Sequence, residues 1–228
     1  EMSPDRYDDL MELRTGLVAK ALHEVTTRSP EIEVLEGDPH PTLAARADRD
    51  DVDYVVVGQH GVDLVGALGG GGTAHHLIHH ISRPVAVVGE QESLDSGPVI
   101  VGVDGSSTNA RAVEVAEHLA KQLSSEVIAV FCPDVGADSY PHAPGFAYLD
   151  EDATRAELQH HLHSGCELLI EPGHPTETLG RVAKERGATA IVVGTRGRGG
   201  FHGLIAGHVP TQLLRHAPVP VIVVPNAG

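Results

Sequence analysis

The sequence predicts an α/β protein: two doubly wound parallel five-stranded sheet domains, the first of them partial. Three observations predict it. The chain repeats itself at a constant offset of 136 residues, with Gly37, Pro39, Thr42 and Leu43 recurring as Gly173, Pro175, Thr178 and Leu179. The run Val85–Val88 likewise recurs as Val221–Val224, and a period this long marks a duplicated domain. Short apolar runs alternate with stretches of helical period, the pattern of βαβ units around a parallel sheet. Each copy also carries a Gly-x2-Gly-x9-Gly frame directly after an apolar strand: Gly58, Gly61 and Gly71, then Gly194, Gly197 and Gly207. Residues 1–88 read as the later part of one unit, 89–98 as a linker, and 99–228 as a complete second unit.

The elements follow in order. Ser3-Pro4-Asp5 is a helix start, continued by Leu10, Leu13, Leu17, Ala21 and Val25 at helical spacing. Residues 31–35 alternate and read as a strand. Gly37-Asp38-Pro39 turns into a helix near 40–49. Residues 54–57 form a wholly apolar strand, as a sheet covered on both faces requires. A helix over 73–81 and a strand over 85–88 close the first copy. The second opens with a strand at 99–103. A helix follows with Ala112, Val115, Ala116, Leu119 and Leu123 inward, then a strand at 127–131. Residues 133–148 read as a loop. A helix near 150–163, a strand at 167–170, a helix at 176–186, a strand at 190–193, a helix at 209–216 and a strand at 219–224 complete five strands. The terminal strands 85–88 and 219–224 are apolar edges, and bare apolar edges invite pairing; the two copies are expected to associate through them.

Composition narrows the function. The formal charge is −16, and the lysines are Lys20, Lys121 and Lys184. Phosphate-backbone binding needs clustered Lys and Arg, so nucleic acid is not an expected partner, and an anionic membrane surface is excluded for the same reason. No apolar run has membrane-spanning length. Cys132 and Cys166 have no metal-ligand spacing and make no disulfide framework. They read as reduced thiols, and the expected compartment is the cytoplasm.

In doubly wound sheets ligands sit beyond the carboxyl ends of strands, where strand order reverses. Two segments have the right character: Val103-Asp104-Gly105-Ser106 and Gly194-Thr195-Arg196-Gly197. Glycines let backbone approach a ligand, and the helix opened by Gly207 offers free N–H groups to a phosphate. Asp104 can accept from a ribose or an amino group, or help hold a metal ion. The geometry points to a nucleotide, with base and sugar near Asp104 and phosphates between Gly197 and Gly207. Tight turns built from glycine are the plain alternative for such loops. No Walker loop or nucleophile elbow is present, so no catalytic residue is assigned.

Together, Val-Gly-Val-Asp-Gly-Ser at 101–106, the Gly194/Gly197/Gly207 frame and the tail Leu214–Val221 resemble the universal stress protein family. The resemblance covers both copies. It implies a five-stranded fold of order 3-2-1-4-5, dimerisation through the last strand, and a division into ATP-binding and non-binding branches. Carried over, Val103, Asp104 and Gly105 would hold adenosine, and Val130 and Val193 would line the base. Gly194, Gly197, Gly207, His208 and Val209 would hold ribose and phosphates of ATP, alone or with Mg. One departure stands out: His208 and Pro210 occupy positions where ATP binders carry hydroxyls. The first copy departs further, with Gly72 and Ala74 there and Asp63 inside its loop, and reads as a structural partner. An adenine-nucleotide hydrolase or adenylating enzyme is one alternative, and a ligand-free dimerisation module of the same fold is another.

Histidines cluster at His75, His76, His79 and His80, and again at His160, His161 and His163. The pairs 75/79 and 76/80 have i, i+4 spacing, which can chelate a transition metal. With no evident Cys or acidic third ligand, they read as solvated helix faces, and no metal site is expected.

Overall fold

The computed structural model describes residues 12, 15–16, 30–59, 73–89, 96–106, 109–133, 151–160, 162, 166–195 and 208–225. Seven strands are β1 (Val55–Gly58), β2 (Val85–Val88), β3 (Val99–Val103), β4 (Val127–Phe131), β5 (Glu167–Ile170), β6 (Ala190–Gly194) and β7 (Val221–Val224). Six helices accompany them: α1 (Pro39–Ala47), α2 (Thr73–His80), α3 (Ala110–Leu123), α4 (Glu151–Gln159), α5 (Pro175–Glu185) and α6 (His208–His216). The chain separates into two compact units, residues 1–42 and 43–228. That boundary falls inside α1, and all seven strands lie in the second unit.

The strands form one mixed sheet of order β1-β2-β7-β6-β3-β4-β5. The strands of both copies thus lie in one sheet. Strands β3 to β7 run parallel to their neighbours, and numbered within their own copy they lie in the order 5-4-1-2-3. β1 and β2 are parallel to each other. The junction is β2 against β7, antiparallel, with Val85 opposite Val223 and Val87 opposite Val221. The physical reason is the edge: each apolar terminal strand covers the other's unpaired backbone groups.

Helices cover both faces of the sheet over the second copy's strands, giving three layers there. On one face Ile100, Ile128, Ile191, Val221 and Val223 pack with Leu77 and Ile78 of α2, Leu179 and Val182 of α5 and Leu213 of α6. On the other, Val99, Val101, Val192 and Ile222 pack with Ala112, Val113 and Ala116 of α3 and Leu158 of α4. Burial on alternate faces follows from the period of two along each strand. The small α3 residues let that helix lie close to the sheet.

The expected elements differ from the observed ones at several points. Residues 31–35 form no strand, and Val34 and Leu35 are exposed. Their counterparts at offset 136 form β5, which is held by β4. Among the described residues, no strand pairs with 31–35. Strand β7 starts at Val221 rather than Val219, because Pro218 and Pro220 donate no N–H to a ladder. Leu123, expected inward, is 44% exposed; it is the last helical residue before Ser124, which takes a left-handed φ of 53°. α4 ends at Gln159 rather than near 163. The N-terminal helix lies outside the described residues, apart from the helical Glu12, Thr15 and Gly16. The 133–148 loop, beyond Pro133, lies outside them too.

The repeat is visible in the backbone. Gly37 and Gly173 have φ of 124° and 136°, a region L side chains rarely adopt. In each, an ideal Cβ would stand 2.9 Å from the threonine Oγ1 five residues on, Thr42 or Thr178.

Candidate functional site

Counting outward from β3 in the second copy, the chain passes through α3 to β4 on one side. From β6 it passes through α6 to β7 on the other. β3 and β6 are neighbours, so strand order reverses between them and their carboxyl ends flank the switch point where ligands bind in open α/β sheets. Val101 lies opposite Val192, which puts Val103 level with Gly194.

Asp104 follows β3 directly. Its Oδ1 accepts hydrogen bonds from the Ser106 N–H at 2.9 Å, the Ser106 hydroxyl at 2.6 Å and Asn109 Nδ2. This is an Asx turn, in which a short carboxylate binds backbone two residues on. Gly105 between them has φ of 73°, the left-handed conformation that a glycine takes without a Cβ penalty. Asn109 is 6% exposed and precedes α3. The carboxylate therefore fixes the shape of its own loop, and the loop presents backbone at the switch point. Sequence reasoning singled out Asp104 but not Ser106 or Asn109 as its partners; the i, i+2 Asp–Ser spacing was the signal for the first.

Across the crevice, Gly194 ends β6. The Thr195 N–H then donates to the Val224 carbonyl at 3.0 Å, and its side chain is buried. α6 opens at His208. Its first residues have no intrahelical acceptors for their N–H groups, and Pro210, buried in that first turn, has none to offer. The His208 side chain, Arg196, Gly197, Arg198 and Gly207 lie outside the described residues.

The valines do not converge. Val130 and Val193 are 1% and 4% exposed and lie in the core on the α5 and α6 face, where Val209 also packs. Val103 belongs to the opposite face, against α3. A cavity of about 190 Å³ lies elsewhere, between Gln59, Val87, Leu213 and Pro218. Gln59 Nε2 there donates to the Leu214 carbonyl at 2.7 Å, which ties the first copy to α6.

Cys132, just past β4, is a free thiol that burial pushes up to about 11, with the Thr178 hydrogen bond opposing. Cys166 is also free and raised, again chiefly by burial. Neither is poised as a nucleophile, because the thiolate is the reactive form.

A family model described as the universal stress protein family matches residues 2–89 and 96–225. The chain belongs to the universal stress protein family. It does so as a tandem-domain member, one matched segment for each copy. A universal stress protein of Mycolicibacterium smegmatis is 34% identical over 182 residues, covering 75% of this chain and 60% of that protein. One of Mycobacterium tuberculosis is 31% identical over 208 residues, covering 84% and 64%. The chain thus spans 60–64% of the length of these curated relatives. A solved universal stress protein from Archaeoglobus fulgidus superposes with a TM-score of 0.66 at 22% identity, covering 99% of this chain and 81% of that one. That likeness is one of fold. Among the described residues, no helix is long and apolar enough to cross a membrane.

Proposed function

We propose that this chain is an adenine-nucleotide-binding regulatory protein of the stress response, holding ATP, alone or with Mg, without marked turnover. The observation that carries the reading is the pairing of two backbone-presenting turns, Asp104–Ser106 and Gly194–Thr195, at the switch point between β3 and β6. The backbone of 103–106 and Gly194 would hold the nucleoside. The first-turn amides at His208 and Val209 would meet phosphate, favoured there by the helix dipole. Asp104 is committed to its own loop by three hydrogen bonds, which suits a binding element better than a proton-transfer group. The reading also includes repeat units at 1–88 and 99–228, a cytoplasmic location, no nucleic-acid or membrane partner, and self-association through 85–88 and 219–224.

The test is a calorimetric titration with ATP, ADP and AMP. ATP is expected to bind, and Asp104→Ala to weaken it by about tenfold, the loss of one charge-assisted contact's worth of order. Asp51→Ala, on a surface remote from the site, should leave it unchanged. A second reading, a dimerisation module without ligand, is favoured by one observation: Pro210 removes an N–H from the phosphate-facing turn. Absence of binding at millimolar nucleotide, with none released on denaturation, would decide for that module.

A further inference from the structure

We propose that His75 and His79 on α2 form a bidentate site for a late first-row divalent cation of the zinc and copper class. Their Nε2 atoms are hydrogen-bonded at 3.1 Å, one ring donating to the other through a proton that an ion would replace, with ring centroids at 4.3 Å and an interplanar angle of 72°. Two imidazole nitrogens each about 2.0–2.1 Å from one ion, and 3.1 Å from each other, subtend roughly 100° at it. That lies between the square and tetrahedral angles these ions accept.

The helix is held for the purpose. Leu77 and Ile78, between the two histidines, are 0% and 4% exposed, so the ring pair stands on a fixed backbone and little ordering remains to be paid on binding. His79 Nδ1 is buried without a partner, which leaves Nε2 as its reachable nitrogen. The adjoining pair is differently disposed: His80 Nδ1 donates to the His76 carbonyl at 2.8 Å, and the His76 and His80 rings stack at 4.0 Å, 10° from parallel. Stacked rings aim their nitrogens side by side rather than at one point.

The repeat separates this cluster from the needs of the fold. At offset 136 the second copy carries Thr211, Gln212, Arg215 and His216 on α6, so three of the four histidines are peculiar to the first copy. Among the described residues no group of three or more His, Cys, Asp or Glu gathers around an ion position. The site is therefore open, with water completing the coordination and the ion exchangeable. Its effect is to staple one turn of α2.

Hydrogen exchange read by mass spectrometry on the peptide containing α2 tests this, with zinc chloride as the probe and magnesium chloride as the control. Zinc at ten times its dissociation constant should slow exchange over α2 by about tenfold where opening breaks the site, and magnesium should not. His75→Ala and His79→Asn should each abolish the slowing, while His80→Ala should retain it. Copper(II) should give a paramagnetic resonance spectrum with two coupled nitrogens in the unmodified chain, a readout independent of variant folding. Unchanged exchange with zinc, slowing that survives His75→Ala, or slowing lost only with His80→Ala would each overturn the assignment.

Discussion

Asp104 shows what a single position discloses before and after folding. Its place after an apolar strand was legible, because a carboxylate and glycine there mark the end of a parallel strand. Its occupation was not, because hydrogen bonds to Ser106 and Asn109 depend on the turn that those residues make. Cys132 was legible only as a thiol without metal-ligand spacing; its depth behind α5 comes from the fold. The raised pKa gives a definite expectation. At pH 8 the native thiolate fraction is on the order of 100-fold below that of an ordinary cysteine, so Ellman's reagent should react slowly with Cys132 until the protein unfolds. The linkage has one sign: a folded pKa near 11 above the unfolded value means this contribution to stability is intact below about pH 8.5. It is lost as pH rises through the folded value. Prompt labelling of Cys132 in native protein at pH 8 would contradict this.

Elements were legible where pattern and partner agree. β2, β3, β4 and β5 begin and end where their apolar runs do, because each finds a neighbour. Residues 31–35 carry the same alternation and form no strand, since a ladder partner is a property of the whole sheet. The same lack shows in β1. Val56 is 66% exposed, whereas its repeat mate Val192 is 0% exposed. α3 packs on the Val192 face, whereas among the described residues no counterpart of α3 covers Val56. Val192→Ala should therefore cost about 2 kcal/mol, two lost methyl groups plus a cavity. Val56→Thr should fall within about 0.5 kcal/mol of the parent. Urea midpoints for the two variants check this, and equal losses would mean that the two faces are covered alike.

At the scale of the molecule the duplication was plain in the sequence, and the apolar terminal strands marked where the copies would meet, but the antiparallel register that joins them was not legible. Two separate sheets and one joined sheet have the same local patterns; only the β2–β7 register distinguishes them. A side chain the sequence did not single out spans the junction. Arg111 Nη1 donates to the Pro225 carbonyl at 2.9 Å and Nη2 to the Ser82 carbonyl at 2.8 Å, so one guanidinium on α3 ties the exit of β7 to the entry of β2. Arg111→Ala should lower stability by about 1–3 kcal/mol, the cost of leaving such acceptors unpaired. Lysine should not restore it, since a point charge cannot replace a planar fork. A lysine variant with the parent's urea midpoint would show that the fork is idle.

The proposal turns on a difference between the copies: a nucleotide at the β3/β6 switch point of the second, and none at the glycine frame of the first, where Asp63 lies in the loop and Gly72 and Ala74 fill the hydroxyl positions. The most direct measurement is the stoichiometry of ATP bound at saturation, by native mass spectrometry, with Asp104→Ala alongside. One nucleotide per chain is expected at saturation, with Asp104→Ala needing about tenfold more ATP for half-occupancy. Two per chain, or an unchanged half-occupancy in Asp104→Ala, would contradict this.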